Sequence, residues 1–211
     1  MRKLMLFVWL LMPAAAAAYH YGPGQDRVRV DCAADAAQRA EQLAGEARAL
    51  AAKDGDCAAK DLWTKAEDAY TEALDQLPSD RVGESRSLRL ERAKAQMFLS
   101  KLPAAHAELS SLVEELGNDP TADPKLLADA RGALANAQYY RTWLMRLEGA
   151  PADEWEPEIE ASRQNYKLLA EQAQQSGDVL LAKANEESLE SSVRLARMDL
   201  NDLQGLPLPS Q

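Results

Sequence analysis

Arginine recurs at every third position through Arg86, Arg89 and Arg92, with Arg81 just upstream, in a chain of formal net charge −10. A guanidinium presents a planar fork of donors that matches a carboxylate bidentately, so such a row can grip an extended or acidic-ended peptide. A second concentration lies at Tyr139, Tyr140, Arg141, Trp143 and Arg146. Aromatic rings together with arginine are the residue types of interface hot spots, and three large rings in five positions cannot all face one helical core stripe. Both sets are therefore candidate partner-binding residues. The opposing reading pairs Arg86 to Arg92 with Glu84 and Glu91 on a solvated face and packs the aromatics as core.

The other reactive side chains form no constellation. His20 and His106 are far apart in sequence; His106 reads as a surface residue and His20 as part of an irregular N-terminal arm. A new N-terminus at Ala18-Tyr19-His20 could chelate copper or nickel through its third-position histidine, against the simpler reading as a plain arm. No His, Cys and carboxylate set has zinc-ligand spacing. No glycine-rich phosphate loop, GxSxG elbow or HExxH pair occurs. The many Asp and Glu residues are spread over helix faces, so no acid–base pair can be singled out. No catalytic residue, cofactor or metal ligand is assigned.

Export is the next expectation. Arg2 and Lys3 precede an apolar run from Leu4 to Met12, Pro13 breaks it, and alanines lead to Tyr19. Ala16 and Ala18 satisfy the small-x-small rule, which makes residues 1–18 a signal peptide cleaved after Ala18. The run is shorter than the ~20 apolar residues a membrane anchor needs. Loss of Arg2 and Lys3 takes the charge from −10 to −12. Such an acidic chain repels phosphate backbones and anionic lipid heads, which argues against nucleic acid and membrane surfaces as partners. The expected location is periplasmic or secreted, with no membrane insertion after cleavage.

The elements that must position these residues are helices. Glycine and proline cluster between long stretches rich in Ala, Leu, Glu and Arg, which are strong helix formers. Tyr19–Cys32 (19–32) is expected to be an irregular arm around Pro23, and residues 33–204 a helical domain. Apolar spacing predicts seven helices: about 33–53, 59–77, 87–100, a fourth from Pro103 to Gly117, then 125–147, 158–175 and 179–203. The segments SDRVGES, DPTADP and GAPADEWEP are expected to break them, and 205–211 is a proline-rich tail. Two cysteines in an oxidising compartment suggest a disulfide. A continuous first helix, however, would hold Cys32 and Cys57 roughly 30 Å apart, far beyond the ~7 Å that a bridge allows.

Within the second predicted helix, Ala66, Tyr70, Ala73 and Pro78 are spaced four, three and five apart. This half-repeat resembles the second helix of a tetratricopeptide repeat, and Ala105, Leu109 and Leu112 resemble it more weakly. The resemblance implies an all-α, TPR-like α-solenoid of about three helical hairpins plus a C-terminal capping helix. It also implies a groove lined by the first helix of each hairpin, where the arginine row and the aromatic cluster would lie. A closed helical bundle buries the same stripes and stays open as the alternative. The function expected is a non-catalytic scaffold or adaptor for other exported or envelope proteins. A small-ligand or metal-binding helical bundle is the second reading.

Overall fold

The computed structural model describes Met12, Pro13, Tyr19 and residues 23–204. The expected signal peptide lies outside the described residues apart from Met12 and Pro13; His20 and the 205–211 tail lie wholly outside them. Residues 23–204 are all-helical, in eight helices with no strand among the described residues. The chain forms two compact units, Met1–Leu88 and Arg89–Gln211.

The first unit is built on a hairpin of α1 (Pro23–Asp54) and α2 (Asp56–Gln76). Here the expectation of an irregular arm over 19–32 is corrected, because α1 starts ten residues before Ala33. Pro23 and Gly24 sit in the opening turn, where proline's missing N–H has no helical partner to lose. Asp26 adds a negative charge where the helix dipole favours one. A single residue, Gly55, turns α1 into α2 at φ 89°, a conformation open to glycine at little strain. Alanines at 33, 36, 40, 44 and 47 form the buried stripe of α1. Small side chains let α2 approach closely with Trp63, Ala66, Tyr70 and Ala73, all buried. Leu77 then leaves the helix in an extended conformation ahead of Pro78. Cys32 and Cys57 are both free and exposed, and the unbroken α1 between them accounts for this.

α3 (Val82–Phe98) begins within the SDRVGES segment that was expected to be a turn. The unit boundary falls inside it. In the second unit, α3 contributes Leu90, Ala93 and Met97 to a core with Leu102, Ala105, Leu109, Leu112 and Leu116 of α4 (Leu102–Asn118). Ala130, Leu134, Ala137 and Tyr140 of α5 (Pro124–Leu147) complete that core. Asp123 caps α5, its carboxylate accepting from the Lys125 N–H at 3.0 Å.

α6 (Ala152–Ser176) runs through Pro157 and so through the segment expected to break the chain. Proline here removes one bond near the helix start, where the Asp153 it would have reached is exposed to water. Ile159, Ser162, Tyr166, Leu169 and Ala173 are buried on its inner face at helical spacing. Gly177 closes α6 in the left-handed conformation, and Asp178 caps α7 (Val179–Arg197) by accepting from the Leu181 N–H at 3.0 Å. The expected continuous run to Leu203 is corrected. Met198 turns extended, and α8 (Leu200–Gln204) is a separate turn of helix.

The inner face of α7 also differs from the sequence pattern. Ala182, Ser192 and Leu195 are buried, whereas Leu181 is exposed. The Ser162 hydroxyl donates to the Ala135 carbonyl at 2.8 Å and lies 3.4 Å from the Ser192 hydroxyl, joining α5, α6 and α7.

Candidate functional site

The arginine row is engaged internally. Arg89 donates from Nε to Glu108 at 2.5 Å and from Nη1 to Glu115 at 2.6 Å. Arg92 reaches Glu108 through Nη2 at 3.3 Å. Desolvation pulls the Arg89 guanidinium down, but its bonds to Glu108 and Glu115 outweigh that and raise it above its ordinary value. Arg86 is half-buried and also has an interaction within the chain. Neither carboxylate proposed from the sequence serves Arg89: Glu84 pairs with Arg81 at 3.2 Å and Glu91 with Lys94 at 2.7 Å. Two arginines converging on Glu108 make a tie between α3 and α4.

The aromatic cluster of α5 is likewise drawn inward. Tyr140 joins the α3–α4–α5 core, and Trp143 packs with Ile159, Leu195 and Leu203. Tyr139 lies half-buried between them, its ring edge-on to Tyr140 and tilted to Trp143, each at 6.2 Å between centroids. Three rings in five positions are accommodated because α5 is covered on more than one side. Burial raises the Tyr139 phenol above its ordinary value, and Arg194 opposes the shift.

Arg146 donates to the carbonyls of Leu195 and Met198 and lies over the Trp155 ring, 4.7 Å from its centroid. These are carbonyls at the end of α7 that no further turn of the helix would satisfy. Arg146 is therefore the C-terminal cap of α7, supplied from α5. Its desolvation lowers the guanidinium from its ordinary value, with Asp199 acting in the other direction.

His106 is not the surface residue expected. It is half-buried, with Nε2 at 3.2 Å from Glu158 and Nδ1 at 3.3 Å from Arg141, and Arg141 also meets Glu158 at 3.1 Å. Arginine can only donate. Nδ1 must then be the acceptor, which places the imidazole hydrogen on Nε2, facing the carboxylate. The triad links α4, α5 and α6. Among the described residues no group of three His, Cys, Asp or Glu side chains is placed to hold a metal ion. No described helix is long and apolar enough to cross a membrane.

Two surface features are notable among the described residues, and neither stood out in the sequence. Val179, Leu180 and Leu181, at the start of α7, are 75%, 83% and 51% exposed. Farther along α7 an open groove of about 640 Å³ is floored by half-buried Leu189, Val193 and Met198. Exposed Glu190, Arg194 and Arg197 flank it, with Asp202 at its α8 end. Among the described residues, neither Arg194 nor Arg197 has a carboxylate within ion-pair distance. An apolar triplet beside a capping Asp could have signalled the first feature; the second depends on the break at Met198, for which the sequence has no Gly or Pro marker. No family profile, curated protein or solved structure matches the chain.

Proposed function

We propose that this chain is an exported, non-catalytic scaffold or adaptor that binds other exported or envelope proteins through helical surfaces. The observation that carries the proposal is the exposed run Val179-Leu180-Leu181 at the turn between α6 and α7. Contiguous exposed apolar side chains on a folded helix are a mark of protein interaction sites. A tetratricopeptide-like arrangement of the hairpins belongs to the same proposal. It is supported by Ala66, Tyr70 and Ala73 facing inward in the α1–α2 hairpin, with the helix ending ahead of Pro78. The acidic charge, −10 over the whole chain, favours protein partners over nucleic acid or anionic lipid.

The test is in-cell crosslinking followed by capture of the tagged protein from its native envelope, alongside a Val179→Asp/Leu180→Asp variant. Specific partners recovered with the wild type should be depleted at least several-fold with the variant while circular dichroism stays unchanged. An identical partner set from both would defeat the assignment of this surface. Recovery of the chain from the cytoplasmic fraction with residues 1–18 still attached would defeat export.

A further inference from the structure

The groove on α7 has a distribution of charge that selects its occupant. Along α7, Glu190 lies toward the N-terminal end and Arg194 and Arg197 toward the C-terminal end, with Asp202 of α8 beyond them. The apolar floor follows the same direction, from Leu189 through Val193 to Met198. A surface ordered in this way is complementary to itself when turned end for end.

We propose that the groove is a dimer interface, in which α7 of one copy of this chain packs antiparallel against α7 of a second copy. A two-fold axis near Val193 and Arg194 makes the interface isologous, so every contact occurs twice. It sets Glu190 of each copy against Arg197 of the other, and Leu189 of each against Met198 of the other. The Arg194 stems then lie along the Val193 side chains, as long basic side chains do over apolar surface. A parallel alignment would instead set Glu against Glu and Arg against Arg.

Charge also argues for this face over others. Two copies of a chain with net charge −10 repel each other over most of their surfaces. In the groove, Glu190 and Asp202 are balanced by Arg194 and Arg197, and neither arginine is already in an ion pair among the described residues. It is a neutral place for two acidic chains to meet. An acidic peptide would find the arginines but also two carboxylates; a second copy satisfies both signs.

Sedimentation velocity of the full chain over a concentration series tests the proposal, with Glu190→Arg, Arg197→Glu and the combined variant. The wild type should self-associate as a dimer. Each single reversal should weaken association roughly tenfold or more, since both symmetry-related pairs become repulsive. The combined variant restores opposite charges in both pairs and should return association close to that of the wild type. A wild type that stays monomeric throughout, single reversals without effect, or a combined variant as weak as the singles would each overturn the proposal. All these positions are exposed, so circular dichroism should show the helix content of every variant unchanged.

Discussion

Arg89 and Arg92 lie one helical turn apart and converge on the same carboxylate, yet their replacement by methionine should have very different effects. Arg89 makes two short charge-assisted bonds, to Glu108 at 2.5 Å and to Glu115 at 2.6 Å. The side chains of Arg89 and Glu108 are each 22% exposed, so water replaces that contact poorly. A hydrogen bond to a charged group contributes about 1.5–3 kcal/mol when shielded. The Glu115 carboxylate is more exposed and rehydrates, which reduces its share to about 0.5 kcal/mol. Methionine keeps most of the stem packing, so Arg89→Met should lose about 2–3.5 kcal/mol. At roughly 2–4 °C per kcal/mol for a chain of this size, the melting temperature should fall by about 5–10 °C. Among the described residues, Arg92 bonds to Glu108 at 3.3 Å and its buried Nε has no partner. Replacing it removes an unsatisfied donor along with a weak contact, so Arg92→Met should stay within about 0.5 kcal/mol of the wild type. Urea unfolding followed by circular dichroism measures both. Equal losses for the two variants, or no loss for Arg89→Met, would show that the Glu108 tie does not hold α3 to α4.

Two further outcomes follow from the core of the second unit. Burial pushes the Tyr166 phenol up from 10.0 to about 12, assisted by Tyr139 and opposed by a hydrogen bond with Ser188. The folded state then holds its proton more tightly than the unfolded state, so this stability is intact below pH 10 and lost as pH rises through about 12. The fall should be about 2–3 kcal/mol and absent in Tyr166→Phe, which unfolding curves at stepped alkaline pH would reveal as two diverging profiles. Leu109 is fully buried among Leu90, Leu112 and Leu134 in the α3–α4–α5 core. Leu109→Ala should lose about 3 kcal/mol by thermal or urea unfolding, and a loss under about 1 kcal/mol would mean that this core is loosely packed.

The inner faces of several helices were legible because a 3.6-residue period leaves few choices. Trp63, Ala66, Tyr70 and Ala73 in α2, and Ile159, Ser162, Tyr166, Leu169 and Ala173 in α6, all lie where their spacing puts them. Helix starts were less legible, for a consistent reason. Pro23, Gly83 and Pro157 read as breakers, but each lies within the first two turns of a helix, where lost or strained backbone bonds matter least. The face of α7 misled in another way. Packing against α6 buries the small residues Ala182 and Ser192 of α7 and leaves Leu181 outside. An apolar pattern records hydrophobicity, whereas tight helix packing selects size.

The candidate site shows why residue type alone does not locate an interface. Arginine and aromatic rings make hot spots because they join desolvated area to directional bonding, and the same physics holds one chain together. Arg146 over Trp155, capping the last carbonyls of α7, has the composition of an interface hot spot, yet its partners are its own chain's. Glu108 and Glu115, which engage Arg89, come from a different helix that no local spacing could pair with it. What separates the two cases is whether a side chain's bonding capacity is already filled. Arg89 and Arg146 are filled. Arg194 and Arg197, less conspicuous in sequence because they stand on an ordinary amphipathic helix, have no ion pair among the described residues and lie beside an apolar floor that water covers poorly. A surface offering both unfilled donors and unburied apolar area is where association can still lower the free energy, and on α7 the two coincide.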